Sequence, residues 1–381
     1  MQIGRKGKLF VKKEATYNET PRPTLVATDA IRHIDVGMTW DPFARVTSPE
    51  KKQSPGAVVR LDRRSTGEFS LRSALLRPSG TLNTLPEADE ILEAGFGSKT
   101  NVTLTTTVSA SPAPTTTTAT VASAGTLATG DGILITRAGI KYVRILTNVI
   151  ANALTWAPAL PTAPTTGESV KGCLTYKLTT DLAISLFAAH YLSATKRSES
   201  GIGIDKLSLI FDGTEEARLT ASGPAAAQET DAVQAEPAAF TTVGGNPPTG
   251  MVGDHYIDAV AVLHKTLTVD LANGLALRHS EAGVAVPTEV YRVGRREVTI
   301  KEETFAEDET EIYDLAEAGT DVSVLRQNGR TEGNILALYL PRVEFKVPDQ
   351  GDDDGEVSWS FSGLALESAD GMNDELRLVM A

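Results

Sequence analysis

A mainly β chain is what this sequence predicts, and three observations predict it. Apolar and polar residues alternate with period two in segment after segment, turn-forming Gly, Asp, Asn and Pro punctuate the runs, and only two segments combine helical spacing with end signals. At 381 residues, 41% apolar and 22% charged, the chain has material for two domains with substantial cores.

The chain opens on a basic stretch, Met1 to Leu9, that no apolar run follows, so a secretory signal is not expected. Trp40 to Gly56, with Pro42, Pro49 and Pro55, is a long polar loop. Alternation in Ala57 to Arg63 and again in Glu68 to Arg72, around Ser65-Thr66-Gly67, predicts a hairpin. The first helix is expected over 85–94, where Pro86 and acids fill the first turn, Gly95 stops it, and Leu85, Ala88, Ile91 and Leu92 share a face. Residues 101–171 open Thr-rich and continue as short strands (Gly132 to Thr136, Lys141 to Ile145, Ala153 to Trp156), which predicts an inserted small β-barrel. Val170 to Tyr176 alternates like a strand and holds Cys173, the chain's one cysteine, expected as a buried structural thiol.

A second hairpin joins Lys206 to Phe211 with Glu216 to Thr220 through Asp212-Gly213. Gly223 to Gly253 is rich in Ala, Pro and Gly and cannot hold a core, so it is either an interaction loop or a disordered excursion. Strands follow at Leu267 to Leu271, Glu297 to Lys301, Ile335 to Phe345 and Val357 to Phe361, with a second acid-rich, glycine-terminated helix over 309–318. Each helix comes after a pair of strands and before several more, which suggests a duplication with halves at 1–220 and 260–381. The expected organisation is a first tube-like domain over 1–100 and 172–222, interrupted by the insertion 101–171, then a loop 223–256 and a second domain 257–381.

Charge is unevenly placed. Residues 1–72 carry 14 Lys and Arg against 8 Asp and Glu, whereas residues 301–381 carry 6 against 20, within a net charge of −13. The overall sign disfavours general nucleic-acid affinity, and the polarity suits head-to-tail stacking of copies. No catalytic constellation is legible: there is no G-x-S-x-G elbow, and Gly201-Ile202-Gly203 lacks the third glycine of a nucleotide loop. The run Asp352-Asp353-Asp354-Gly355-Glu356 fails EF-hand spacing and reads as a turn between strands. The histidines, His33, His190, His255, His264 and His279, are scattered without metal spacing. No enzyme activity and no cofactor or metal is expected. The longest apolar stretch, Leu182 to Ala194, is too short to span a bilayer, and no membrane association is expected.

The ends of the chain resemble the major tail tube proteins of long-tailed bacteriophages. The resemblance rests on Gly4-Arg5-Lys6-Gly7-Lys8-Leu9-Phe10-Val11-Lys12-Lys13-Glu14, on Leu76-Arg77-Pro78-Ser79-Gly80 with its helix, on Asn334 to Pro341, and on Trp359-Ser360-Phe361-Ser362-Gly363-Leu364-Ala365. It covers about 1–98 and 200–381, with 101–171 as the kind of decoration some members insert. It implies β-sandwich domains, each with a flanking helix, whose inner sheets join around a ring, and rings that stack into an acidic, β-lined channel. The partners implied are further copies of the chain (three per ring with pseudo-sixfold symmetry, or six), a tape-measure protein, tail-end proteins and DNA in passage, in a virion tail assembled in the host cytoplasm. The residues assigned to stacking between rings are Arg5, Lys6, Lys8, Lys12 and Lys13 of the arm, Trp40, Glu50, Lys51 and Lys52 of the loop, and Asp352, Asp353 and Asp354. Two other readings stand beside it: a surface-binding or adhesin-like β-protein, suggested by the Thr-rich insertion, and a β-rich hydrolase using Asp254 or His255.

Overall fold

The computed structural model describes residues 7–41, 46–47, 60–61, 66–182, 184–192, 195–229, 236–278, 282, 286–305, 310–353 and 356–381. The fold is mainly β. Its frame is an eight-stranded antiparallel arc within the largest sheet. In chain order the strands are β1 (Asp35–Asp41), β2 (Thr66–Leu75), β3 (Lys206–Asp212), β4 (Arg218–Ala225), β5 (His264–Ala272), β6 (Glu297–Phe305), β7 (Asp349–Asp353) and β8 (Glu356–Ala365). In space their order is β1-β2-β4-β3-β5-β6-β8-β7.

That order is one four-stranded pattern written twice. In each unit the first strand pairs with the second, the second with the fourth, and the fourth with the third, the strand before it in sequence. A helix follows the second strand both times: α1 (Asp89–Phe96) after β2 and α2 (Thr310–Glu317) after β6. Register makes the match specific. Ser222-Gly223-Pro224-Ala225 opposes Ser70, Phe69, Glu68 and Gly67, and Ser362-Gly363-Leu364-Ala365 opposes Lys301, Ile300, Thr299 and Val298. Both glycines lie where another stretch of backbone crosses: an added Cβ would stand 1.8 Å from the Gly203 oxygen at Gly223 and 2.8 Å from the Glu344 oxygen at Gly363.

Alternation gives the arc two faces. Met38, Phe69, Leu71, Leu207, Leu209, Phe211, Leu219, Ala221, Leu267, Val269, Leu271, Val298, Ile300, Phe361 and Ala365 point one way into a single core that runs under both units and takes in Ile91, Leu92 and Phe96 of α1 and Ile312 of α2. Outer strands cover that core. Strands 8–13, 186–192 and 195–202 form a sheet with 227–229 and 30–31, while 97–101, 174–178, 377–380, 336–345, 322–328 and 253–257 run side by side. The segment 102–172 forms a separate six-stranded sheet whose two border strands meet at a Val108–Val121 bridge, around its own core of Trp156, Leu154, Ile133, Ile135 and Val170. It sits against the outer strands, where Leu134, Val143 and Ile145 pack with Leu325, Ala337, Tyr339 and Val379.

Several expectations need correction. Strand β2 does not pair with 57–63: its neighbours are β1 and β4, and Thr66 and Gly67 lie within it. Gly67 is small because the Trp40 ring lies over it, with an added Cβ only 2.7 Å from the ring, and not because the chain turns there. Residues 51–59 and 62–65 lie outside the described ones. Helix α1 starts four residues later than expected and ends at Gly97 in the left-handed region (φ 98°), while Gly95 is inside the helix against Leu207 and Ile204. Leu85 is consequently exposed. The Ala/Pro/Gly-rich segment is, from 236 to 250, neither loop nor excursion but a strap: Phe240 packs on Phe10, Thr241 donates to the Ala27 carbonyl, and Arg32 donates to the carbonyl of Val243. Cys173 is buried, and burial pushes its thiol pKa up.

Candidate functional site

Two strands of the arc have only one neighbour. Strand β1 is bonded to β2 on one side and β7 to β8 on one side, and among the described residues no strand lies against their other borders. Arg197 donates to one carbonyl of β1, that of Met38, at 3.1 Å. Apolar side chains stand in the open near both borders, Ile34 at 62% exposure beside β1 and Val347 at 52% just before β7. A solvent-facing strand border is a template for further pairing.

The chain also contains the junction that such borders would make. Strand β3, the third strand of the first unit, pairs with β5, the first strand of the second, over seven residues from Lys206↔Ala272 to Asp212↔Thr266. Strands β7 and β1 are the third strand of the second unit and the first strand of the first. They are the same two partners, left unjoined.

The face of the arc turned away from the core is hollow, with a depression of about 640 Å³ crossing β2, β4, β3, β5 and β6. It is lined by hydroxyls, among them Ser70, Ser208, Thr220, Ser222 and Thr299. Register carries Thr268, Ser360 and Ser362 onto the same face. Its charges among the described residues are Glu68, Asp212, Asp270, Glu297, Glu303 and Asp349 against Arg72, Lys206, Arg218 and Lys301, so acids are in modest excess.

Strand direction gives the arc two rims. On one, the connection from β5 to β6 brings Arg292, Arg295 and Arg296 beside Arg342, Glu367 and Glu375, around a depression of about 800 Å³. Arg296 holds Glu375 at 2.7 Å. On the other rim the β3–β4 turn presents Asp212, Glu215 and Glu216, with Asp212 accepting from the backbone N–H groups of Thr214 and Glu215.

Of the residues assigned to stacking, three arm lysines are met within the chain: Lys8 by Glu236, Lys12 by Asp29 and the Thr24 carbonyl, Lys13 by Glu93. Trp40 lies on β1 over Gly67, and Asp352 and Asp353 belong to β7. Arg5, Lys6, Glu50, Lys51, Lys52 and Asp354 fall outside the described residues.

Four of the five histidines meet in two pairs that sequence spacing did not reveal, and His279 lies outside the described residues. In the second unit His255 Nε2 is 2.5 Å from Glu302 Oε1, both side chains sealed from solvent, and the His264 ring is 4.8 Å from that of His255. Burial, then the proximity of His255 and Arg326, pushes His264 down to about 2. In the first unit His33 and His190 stand 5.2 Å apart, and burial with His33 and Arg197 pushes His190 down to about 4. Glu199, also in the first unit, is fully buried with no partner for either oxygen, and burial pushes it up to about 9. Of these groups His255, Glu302 and Glu199 are buried, and His33, His190 and His264 are half-buried.

No helix among the described residues is long and apolar enough to cross a membrane. No protein-family model and no curated protein matches the chain.

Proposed function

We propose that this chain is the structural subunit of a hollow tube of the bacteriophage tail type, built from rings whose subunits extend one another's β-sheet. The observation that carries this reading is the internal β3–β5 junction together with the unjoined β1 and β7, because a unit that already pairs edge to edge once within the chain has the geometry to do so again between chains. Closing the series removes every open border, which is the stable end point for such a sheet. Two four-stranded units per chain favour three chains per ring with pseudo-sixfold symmetry.

In such a ring the hollow, hydroxyl-rich face lines the bore. Its cations, Arg72, Lys206, Arg218 and Lys301, are outnumbered by the acids of the same face, so there is no cationic track to neutralise phosphates and hold passing DNA. The 102–172 barrel packs on the outer strands and would decorate the outside. The two rims differ, one carrying four arginines among as many acids and the other the acidic β3–β4 turn, and in axial stacking the arginines of the first would face the acids of the second.

Electron microscopy of the purified protein at high concentration tests the reading. The expected image is a hollow ring with threefold symmetry, alone or in stacks; dispersed monomers at every concentration and ionic strength would refute it.

A further inference from the structure

We infer that the junction between subunits has a defined register, with Asp349 of one copy directly opposite Thr39 of the next, Gly351 opposite Gly37, and Arg72 covering the seam. This rests on the tube reading and adds to it the residues that meet.

The chain supplies its own template. Superposing the units on Ser222–Ala225 and Ser362–Ala365 makes Thr220 the counterpart of Ser360. Because Thr220 opposes Ser208 and Ser360 opposes Asp349, Asp349 stands where Ser208 stands. On the other side of the seam, Phe69 opposes Gly223 and Met38, and Ile300 opposes Gly363 and Val269, so Met38 stands where Val269 stands and Thr39 where Asp270 stands. Within the chain Ser208 opposes Asp270 and Ile210 opposes Thr268. Carried to the open borders, these two pairs become Asp349 with Thr39 and Gly351 with Gly37.

The side chains agree with that assignment. Thr39 and Gly37 lie on the hollow face of β1, and Asp349 and Gly351 lie on the hollow face of β7, opposite Ser360 and Ser358. A one-residue slip would oppose hollow-face to core-face positions, which a sheet with one buried face resists. Two glycines facing each other leave a gap over the seam, and Arg72 already lies across it: an added Cβ at Gly37 would be 2.9 Å from Arg72 Nη2. Arg72 is 58% exposed and its carboxylate partner among the described residues, Asp35, is 3.4 Å away and itself 54% exposed, so the guanidinium is held loosely and can take the incoming Asp349.

Cysteine cross-linking reads the register directly. Thr39→Cys with Asp349→Cys in one chain, both at exposed positions, should on mild oxidation give covalent dimers and then a closed trimer as the largest species on a non-reducing gel. The pair Thr39→Cys with Gly351→Cys should cross-link at least tenfold more slowly, and the native Cys173, being buried, should contribute nothing. Rings visible by electron microscopy with the second pair cross-linking faster, or with neither cross-linking, would overturn the register and leave the tube reading standing. No rings and no cross-links would overturn both. As an independent readout, Arg72→Glu should raise the concentration needed for ring formation about tenfold, and adding Asp349→Arg should restore it; no change in either variant would remove Arg72 from the seam.

Discussion

The two four-stranded units share strand order, helix placement and a Ser-Gly-x-Ala tetrapeptide, yet they have different fates at their third strands. In the first unit β3 is seven residues long, apolar on its inner face and paired over five residues with β4 and over all seven with β5. In the second, β7 is five residues long, follows Pro348, contains Gly351 and is otherwise polar or acidic. Shortness, proline and like charges are what keep an open border from pairing indiscriminately. The comparison teaches that one architecture can be made permanent where the chain joins it and, in the proposed ring, left reversible where copies would join it.

The sharpest way to break the comparison is at the two tetrapeptide glycines. A methyl group at Gly223 would fall 1.8 Å from a backbone oxygen, and backbone cannot swing aside as a side chain does. Gly223→Ala should cost about 4 kcal/mol or more. At Gly363 the nearest backbone oxygen is 2.8 Å away and the other close atoms belong to Phe345 and Val343, so Gly363→Ala should cost about 1–2 kcal/mol. Denaturant unfolding measures both, and equal costs would mean that the two glycines are crowded alike and that this difference between the units does not exist.

The units also differ in how each buries a glutamate. Glu302 has His255 at 2.5 Å, whereas Glu199 has no partner. Glu302→Gln weakens a charged hydrogen bond and should destabilise by about 2 kcal/mol. Glu199→Gln should do the reverse at pH 8, stabilising by about 1–3 kcal/mol, because it removes a carboxyl that folding must keep protonated. Folded Glu199 titrates near 9 against 4.5 in the unfolded chain, so its contribution is full below pH 4.5 and is lost as pH rises through 9. Unfolding midpoints measured from pH 5 to 10 should therefore slope downward in the wild type and lie flatter in Glu199→Gln.

Much of this frame was legible in residue pattern. Alternation located most arc strands, and the hairpin expected of β3 and β4 formed, although through a longer connection than the tight Asp212-Gly213 turn, with Asp212 still in β3 and Ile210 opposite Arg218. The expected hairpin around Ser65-Thr66-Gly67 did not form because Gly67 answers to the Trp40 ring, a neighbour 27 positions away that no local window contains. Helix α1 shifted for the same kind of reason: Gly95 is demanded by Leu207 and Ile204 across the core, leaving Gly97 to end the helix. The open borders were illegible, since whether a strand has one neighbour or two is a property of the whole sheet. One signal was available and passed over. Ser222 to Ala225 and Ser362 to Ala365 repeat at a spacing of 140 residues, and aligning on them gives the duplication in register.

The smallest expected effect separates the histidine pairs. Both His190 and His264 titrate below the ordinary 6.5, near 4 and near 2, because burial disfavours the imidazolium and a second histidine stands close by. The folded state therefore binds their protons less tightly than the unfolded state does. Stability from each is complete above pH 6.5 and is lost as pH falls toward the folded value. His264, more depressed and deeper, should continue to lose stability below pH 4, where His190 has already titrated. Replacing His264 with Gln should flatten the acid limb down to the lowest pH measured, and replacing His190 should flatten it only between 6.5 and 4. If the two variants give superimposable midpoint-versus-pH curves from pH 7 to 3, the second unit does not hold its histidine in the drier setting, and the asymmetry between the units ends at their strand borders.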